Sequence, residues 1–207
     1  MRHNIPELAG SIRRLARASL PVDTIALARF LIGKILVREM PTGWMSGRIV
    51  ETEAYVVGDA SGHAYRGQTP RNKSLFLETG HAYVYFAYGT SYLLNVSSEA
   101  AGVGAGVLIR AIEPIHGIPM MQKNRGVKRL LDLTRGPGRL AAALDIDRRL
   151  DGLDLFGGGP LWLGTDGQDA GAIGESTRIG ITRETHRLLR FYIPGNRFVS
   201  GPRRLSP

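Results

Sequence analysis

One short segment of the chain carries three side chains suited to acid/base chemistry. In residues 47–55 the two-residue period of a β-strand puts Glu51, Glu53 and Tyr55 on one face. The rise of a strand separates successive Cβ atoms on that face by about 6.6 Å. Two carboxylates at such a distance raise one pKa and thereby divide the roles of acid and base, as in inverting sugar hydrolases.

The same pattern also describes a solvated strand face, and the residues alone leave both interpretations open. Arg48 and Arg110 are cations that could neutralise one of the two carboxylates. Either pairing would leave one glutamate structural and the other catalytic.

The tyrosines are concentrated in one part of the chain. Six of the seven lie in residues 55–92, where an even spread would place about one. A β-rich core explains such a cluster, and so does a platform of rings that stack on nucleobases. Tyr83 and Tyr85 share a strand face, whereas Tyr88 precedes Gly89 at a predicted hairpin tip, where burial is difficult. An exposed tyrosine there could act as a wedge between bases.

Several chemistries are excluded by what the sequence lacks. It contains no cysteine, which excludes disulfides, thiolate metal sites and a cysteine nucleophile. Its five histidines have no H-x-H or H-x-x-x-H spacing, so we expect no metal site. The glycine run 102–106 lacks the dinucleotide-binding spacing and is typical of a turn.

The charge balance indicates a polyanionic partner. Lys and Arg number 27 against 18 Asp and Glu, giving a net charge of +9, and 23 of the 27 are arginines, which suit bidentate phosphate contacts. No stretch approaches the roughly 20 apolar residues of a membrane span, and residues 1–6 lack the apolar core of a signal peptide. We therefore expect an intracellular protein without membrane association.

Helical and strand periodicities alternate along the chain. Helices are predicted over 8–20, over 24–34 with Asp23 as cap, over 118–133 and over 138–144. Strands are predicted over 35–39, 47–55, 82–88, 91–97, 107–111, 161–163, 178–182 and 189–193.

These elements predict one α+β domain over 1–207, with a curved antiparallel sheet, flanking helices and an N-terminal extension and helix over 1–20. The irregular stretch 56–72 is longer than an ordinary connection, and loops of that length are often functional or lid-like.

Three dense motifs follow one another at 48–55, 68–72 and 83–89. They resemble those of the alkyladenine DNA glycosylases, the mammalian-type 3-methyladenine DNA glycosylase family. Further matches lie at 94–98, 107–114, 136–140 and 190–192, and the resemblance runs from about Leu27 to Ser200.

The resemblance implies an enzyme rather than a binding protein. Family members are monofunctional: they flip a damaged purine such as 3-methyladenine, hypoxanthine or ethenoadenine out of duplex DNA and hydrolyse its N-glycosidic bond. An abasic site remains, the strand is not cut, and no metal or organic cofactor takes part. The expected partner is double-stranded DNA with a damaged purine, and we expect a DNA-associated monomer.

The resemblance also implies roles for single residues. Glu53 matches the general base that activates water, and Arg110 matches the arginine near that water and the target's backbone. Glu51 matches no catalytic residue, which weakens a two-carboxylate mechanism.

The expected base pocket comes from the same motifs. Tyr55, His63 and Tyr85 match the residues that sandwich the flipped base, and Asn95 matches the pocket floor that disfavours guanine. Tyr88 matches the side chain inserted into the DNA. The loop from Tyr55 to His63 is one residue shorter than in the mammalian form.

Basic residues supply the expected contacts with the DNA backbone. Arg71 and Arg139 match such positions, and a basic segment offers further candidates for phosphate neutralisation, with a solvated face as the alternative. The candidates are Arg125, Lys128, Arg129, Arg135 and Arg139.

Two other function classes stay open at this point. A non-catalytic nucleic-acid-binding module is one, because the fold resembles the C-terminal RNA-binding domain of methionyl-tRNA formyltransferases. A carbohydrate hydrolase is the other, although it leaves the charge of +9 unexplained. Glu53 argues against the binding module, since a carboxylate beside a phosphate-binding surface repels the ligand.

Overall fold

A long antiparallel sheet organises the part of the chain that the structure describes. In this computed structural model residues 12–202 are described, and they contain nine strands and three α-helices. The strands are β1 (Arg13–Arg14), β2 (Ile35–Met40), β3 (Gly43–Tyr55), β4 (Ala82–Ala87), β5 (Ser91–Ser97), β6 (Gly106–His116), β7 (Leu161–Thr165), β8 (Gly174–Ser176) and β9 (Arg190–Tyr192). The helices are α1 (Thr24–Leu31), α2 (Ile118–Arg125) and α3 (Pro137–Ala143), and short 3₁₀ turns cover Arg17–Ser19, Lys73–Phe76, Leu130–Asp132 and Arg148–Leu150.

Strand β3 is the centre of this sheet. The order is β1-β7-β2-β3-β6-β5-β4, with β9 pairing with both β3 and β8, and every pairing is antiparallel. On one side, residues 43–48 of β3 pair with β2 and residues 51–53 pair with β9. On the other side β6 pairs with β3, and the register shifts on both sides of Glu51. The strand therefore carries Glu51 and Glu53 through the middle of the sheet.

The two faces of the sheet have different partners. Alternate residues of four neighbouring strands, Ala54, Val84, Leu94 and Ile109, belong to the main hydrophobic core. Helices α1 and α3 contribute further residues to that core, among them Leu27, Leu31, Leu140 and Ala143. Because side chains alternate along a strand, the residues between these positions point to the opposite face. That face carries the tyrosines and the acidic pair.

The α+β class and the single antiparallel sheet with flanking helices are as predicted. Helix α1 begins one residue after Asp23, whose side chain accepts a hydrogen bond from the Ala26 amide at 2.8 Å. The hairpins β2–β3 and β4–β5 and the irregular stretch 56–72 also lie where the patterns place them. The domain limits 1–207 extend beyond the described residues and stay a prediction.

Three predicted elements are wrong in the described part. The helix over 8–20 is replaced from residue 12 onward by β1 and a 3₁₀ turn, because Arg13 and Arg14 pair with the edge of β7; residues 8–11 lie outside the described range. The helix over 118–133 ends at Arg125, because Gly126 adopts a left-handed conformation with φ 65° that caps it. Residues 178–182 form no strand; β8 lies at 174–176 instead.

No helix in residues 12–202 is long and apolar enough to cross a membrane.

Candidate active site on the sheet face opposite the core

A row of cross-strand neighbours forms the floor of a cleft. Tyr83 on β4 pairs with Asn95 on β5, Asn95 pairs with Leu108 on β6, and Leu108 pairs with Glu53 on β3. All four side chains lie on the face opposite the main core. Above this row is a cleft of about 560 Å³, whose walls include Tyr55, His63, Tyr85, Tyr88, Asn95 and Arg110.

Glu53 lies just beneath the walls of this cleft. Its Oε1 accepts a hydrogen bond from the Ile179 amide at 2.7 Å. Its Oε2 accepts from the Tyr55 hydroxyl at 3.1 Å and lies 3.1 Å from Arg110 Nη1. Two of these donors bind Oε2 and one binds Oε1, although a carboxylate can accept about four hydrogen bonds. Glu53 is itself buried, but Tyr55, Arg110 and Ile179, which supply the donors, all line the cleft.

The surroundings of Glu53 act on its ionisation in opposite directions. The side chain is completely buried, and burial raises the pKa of this carboxyl above its ordinary value. Arg110, the Ile179 amide and the Tyr55 hydroxyl each lower the pKa, but burial outweighs them. The neighbouring Glu51 adds to the increase. A carboxyl in this setting can exchange a proton nearer to neutral pH than an exposed glutamate.

Glu51 differs from Glu53 although both lie on the same strand face. Its Oε1 accepts from Arg110 Nε at 3.1 Å, Arg190 Nε at 2.7 Å and the Ser200 hydroxyl at 3.0 Å. Its Oε2 accepts from the Ser200 amide at 2.7 Å. Glu51 thus has one donor more than Glu53, and two of the residues that supply them, Arg190 and Ser200, are not among the residues that line the cleft. Of the two cations considered above, Arg110 contacts both glutamates, whereas Arg48 pairs with Asp166 at 2.5 Å.

Aromatic rings form one wall of the cleft. The His63 and Tyr85 rings meet edge to face with centroids 4.3 Å apart, and Tyr85 stacks on Tyr83 at 5.2 Å. The Tyr83 hydroxyl lies 2.9 Å from His63 Nδ1. Burial lowers the pKa of His63, with Arg71 adding to the effect, so the site favours the neutral imidazole. Tyr83 was not among the residues expected to sandwich the flipped base, but it contacts both His63 and Tyr85.

The loop 56–72 brings His63 to this wall. Asn72 Nδ2 donates to the His63 carbonyl at 2.8 Å and to the Gly67 carbonyl at 3.1 Å. Gly104 allows the loop to approach, because a Cβ at that position would lie 2.6 Å from the Ala64 Cβ. The glycine run 102–106 was predicted as a turn, and it contains a turn at Gly102, whose φ is 89°. Gly104 and Gly106 allow neighbouring side chains to pack closely.

Tyr88 is an exposed residue of the cleft wall, and Arg71 lies close enough to His63 and Tyr85 for its charge to affect both. Tyr88 is 83% exposed at the tip of the β4–β5 hairpin, in a left-handed conformation with φ 53°. Its hydroxyl lies 3.8 Å from the position of a Cβ built on Gly180, in the segment across the cleft. Arg71 is exposed, and its Nη2 donates to the Phe86 carbonyl at 3.3 Å. Asn95 is nearly buried at the floor and donates to the Tyr83 carbonyl at 3.3 Å.

Arg139 forms an ion pair outside the described walls of the cleft. It pairs with Asp132 at 3.4 Å, and like Glu53 and Arg71 it is not among the residues that line the cleft. Two more of the basic candidates also meet Asp132, since Arg129 lies 3.9 Å from its carboxylate and Arg125 donates to its carbonyl. Arg129 and Arg139 are thus partly neutralised by the Asp132 carboxylate.

Sequence reasoning missed the segment that closes the cleft on the side of Glu53. Arg178 forms a fully buried ion pair with Asp59, and its guanidinium lies 4.6 Å from the Tyr55 ring centroid. The next residue, Ile179, supplies the amide that binds Glu53. Periodicity could not find this arrangement, because the partners are more than 100 positions apart and the segment is irregular.

Comparison with known proteins identifies the family. A model of the methylpurine-DNA glycosylases matches residues 18–197. The chain belongs to that family. A protein of Mesorhizobium japonicum is 70% identical over 192 residues, covering 93% of this chain and 92% of the relative. A protein of Paraburkholderia phytofirmans is 52% identical over 204 residues, covering 99% and 93%. Both are provisionally named 3-methyladenine DNA glycosylase.

The resemblance drawn from the motifs is therefore confirmed, and so is the enzyme class. The protein is a DNA glycosylase, a hydrolase of N-glycosyl bonds whose substrate is DNA. In residues 12–202 no group of three or more histidines, aspartates and glutamates is arranged to hold a metal ion.

Proposed function

We propose that this glycosylase flips a damaged purine out of duplex DNA into the cleft and hydrolyses its N-glycosidic bond with water activated by Glu53. The proposed lesions are 3-methyladenine, hypoxanthine and ethenoadenine, and the product is an abasic site in an uncut strand. The observation that carries the proposal is the buried Glu53 carboxylate held by Tyr55, Arg110 and Ile179, all of which line an aromatic cleft.

The proposed reaction uses the carboxylate as a general base. Water donates one hydrogen bond to Oε1 and attacks C1′ of the nucleotide, while its proton passes to Glu53. The C1′–N bond breaks and its electron pair goes to the purine. A 3-methylated adenine carries a positive charge in DNA, so it leaves as a neutral base. Glu53 is suited to this role because Arg110 and the Ile179 amide hold it in place.

In the proposed reaction Arg110 has two roles, one toward the Glu53 carboxylate and one toward the DNA phosphate. Its Nη1 faces Glu53 and its Nε is held by Glu51, so the guanidinium is fixed at the edge of the cleft. A fixed cation there favours the ionised carboxylate and attracts the phosphate of a flipped nucleotide. No lysine lies on β3 beside Glu53, which supports water rather than an amine as the nucleophile.

The rings of the cleft supply the energy that base extrusion requires. Extrusion costs a few kcal/mol, and stacking on an aromatic side chain returns about 1–3 kcal/mol per base. Tyr55, His63 and Tyr85 offer these ring surfaces, and Tyr88 at the rim would enter the gap left in the duplex. Asn95 at the floor would meet the exocyclic group at C2 and disfavour guanine.

The decisive experiment compares the wild type with Glu53→Gln. A duplex with one hypoxanthine or one ethenoadenine is end-labelled, incubated under single-turnover conditions and treated with hot alkali. We expect alkali-dependent cleavage at the lesion by the wild type and a loss of at least about 100-fold in Glu53→Gln, with DNA binding retained. Glu113→Gln, the same change at the far end of β6, is the matched control and should keep full activity.

The outcomes separate the alternatives. Near-normal turnover by Glu53→Gln would remove this residue from the role of base. Cleavage without alkali would indicate lyase chemistry, which contradicts the proposal. Absence of cleavage at both lesions and at 3-methyladenine, with salt-sensitive binding intact, would favour a different lesion class.

A further inference from the structure

The buried ion pair between Asp59 and Arg178 connects three parts of the candidate active site. Both side chains are completely shielded from solvent, and Arg178 Nη2 donates to Asp59 Oδ1 at 3.2 Å while Nη1 contacts Oδ2. Asp59 belongs to the loop that carries His63. Arg178 Nη1 also donates to the Ala54 carbonyl at 3.0 Å, at the end of β3. One guanidinium thus joins the loop 56–72 to the central strand.

The same guanidinium supports the ring of Tyr55. Its central carbon lies 4.6 Å from the ring centroid, which is a cation–π distance. Tyr55 in turn donates to Glu53 Oε2 at 3.1 Å. A side chain supported in this way keeps its hydroxyl directed at the carboxylate and presents a fixed edge to the cleft.

The backbone next to Arg178 reaches Glu53 directly. The Ile179 amide donates to Glu53 Oε1 at 2.7 Å, and this segment forms no strand that would otherwise fix its position. A second link joins it to the loop, since the Ser61 hydroxyl donates to the Arg183 carbonyl at 2.6 Å. Because Arg178 is the buried attachment of this segment, it determines where the amide points.

We propose that Arg178, held by Asp59, is a positioning residue that fixes both the Tyr55 ring and the Ile179 amide against Glu53. The inference rests on the proposed role of Glu53 and deepens it. Loss of the pair would misplace two of the three donors on the carboxylate and loosen the base pocket at the same time. A misplacement of about 1 Å in such a constellation costs up to about 100-fold in rate.

The proposal also implies a change in pH dependence. The charged and titratable groups around Glu53 are Arg110 from β6, Glu51 and Tyr55 from β3, Tyr85 from β4 and Arg190 from β9. The pair variants substitute none of these five residues, and the double variant removes one positive and one negative charge together, so its effect on Glu53 comes from the displaced Tyr55 hydroxyl and Ile179 amide. Loss of the amide hydrogen bond would disfavour the ionised carboxylate, so the acidic limb of the rate profile should move to higher pH by about one unit.

The test uses three variants and one matched control. Asp59→Asn and Arg178→Lys each weaken the pair, and the double variant Asp59→Asn/Arg178→Gln removes both charges, so that no unpaired ion is buried. Asp166→Asn is the control, because it makes the same charge change in the Arg48–Asp166 pair, which holds Gln168 and Gly33 rather than the cleft. For each variant we would measure thermal unfolding, single-turnover excision of hypoxanthine against pH, and amide hydrogen exchange of residues 56–63 and 178–183.

We expect the three pair variants to lose about 10- to 100-fold in rate and to exchange faster in both segments, and we expect the charge-balanced double variant to shift the acidic limb upward. The control should match the wild type. Wild-type rate and pH profile in the double variant would overturn the proposal, even if the single variants do not fold, because the pair would then only balance charge. If the wild-type protein excises no lesion, the proposed function fails independently of the positioning role. In that case, unchanged amide hydrogen exchange of residues 56–63 and 178–183 in the double variant would overturn the positioning role.

Discussion

At the scale of single residues, the number of donors around each carboxylate distinguishes two glutamates that share a strand face. Glu51 accepts four hydrogen bonds, from Arg110, Arg190 and the amide and hydroxyl of Ser200. Glu53 accepts three, from Tyr55, Arg110 and Ile179, which all line the cleft. This difference supports the proposed role of Glu53 as the base and a structural role for Glu51.

The first prediction concerns pH. Burial raises the pKa of Glu53, and only the ionised form can take a proton from water, so the excision rate should rise with pH through that value. The midpoint of this acidic limb should lie above the ordinary range of a carboxyl. Single-turnover rates from acidic to neutral pH, with DNA binding measured at each point, provide the test. A midpoint at or below that of an exposed glutamate would contradict the prediction.

The second prediction separates the two glutamates by stability. Glu51→Gln leaves Arg110 and Arg190 without their shared carboxylate in a buried site, and breaking a buried pair costs about 3–5 kcal/mol. Glu53→Gln should cost less, because burial already disfavours its charge. Urea unfolding of both variants gives the free energies of unfolding. Equal losses would mean that the donor count does not separate their roles.

At the scale of elements, the β4–β5 hairpin is the part of the site that extends toward the substrate. Its inner residues, Tyr83 and Tyr85, pack on the sheet face, while Tyr88 at the tip is 83% exposed. An exposed aromatic side chain in a left-handed turn contributes little to the fold and is free to contact a partner.

The third prediction tests the hairpin tip. Tyr88→Ala should change the free energy of unfolding by no more than about 0.5 kcal/mol, as is usual for an exposed side chain. It should weaken binding of a lesion duplex by up to a few kcal/mol, because the wedge that holds the flipped state is lost. Tyr88→Phe is the control for the hydroxyl and should bind almost normally. Unchanged lesion binding by Tyr88→Ala would argue against insertion.

At the scale of the whole molecule, the net charge of +9 is not evenly available to DNA. Buried or largely buried ion pairs already engage three arginines, Arg48, Arg110 and Arg178. Arg71, whose charge acts on His63 and Tyr85 in the cleft wall, has no carboxylate within ion-pair distance in the described part of the chain, and Arg139 shares Asp132 with Arg129. Availability at the mouth of the cleft, rather than total charge, should decide which cations neutralise phosphates.

The fourth prediction therefore concerns salt. The affinity for DNA should fall linearly in a plot of log K against log salt, with a slope of about −0.9 for each phosphate contacted. Arg71→Ala should reduce the slope by about 1, and Arg139→Ala by less, because Asp132 already neutralises it. Arg149→Ala is the control, since Asp147 pairs with that exposed arginine at 2.7 Å. Equal slopes for wild type and Arg71→Ala would exclude Arg71 as a phosphate contact.

The sequence by itself determined the features that depend on local periodicity. Alternation along 47–55 placed Glu51, Glu53 and Tyr55 on one face, the capping aspartate predicted the start of α1, and dense motifs indicated the family. Period and capping are set by neighbouring residues, so they can be read without knowing the partners of a segment.

Tertiary structure alone decided which strands meet and which charges pair. Register brought Glu53 into a row with Leu108, Asn95 and Tyr83, and β-pairing with β7 replaced the helix expected around Arg13. The ion pair of Asp59 and Arg178 joins residues 119 positions apart through an irregular segment. Such contacts depend on long-range packing, in which the burial of a charge next to its partner outweighs local preference and leaves no periodic trace in the chain.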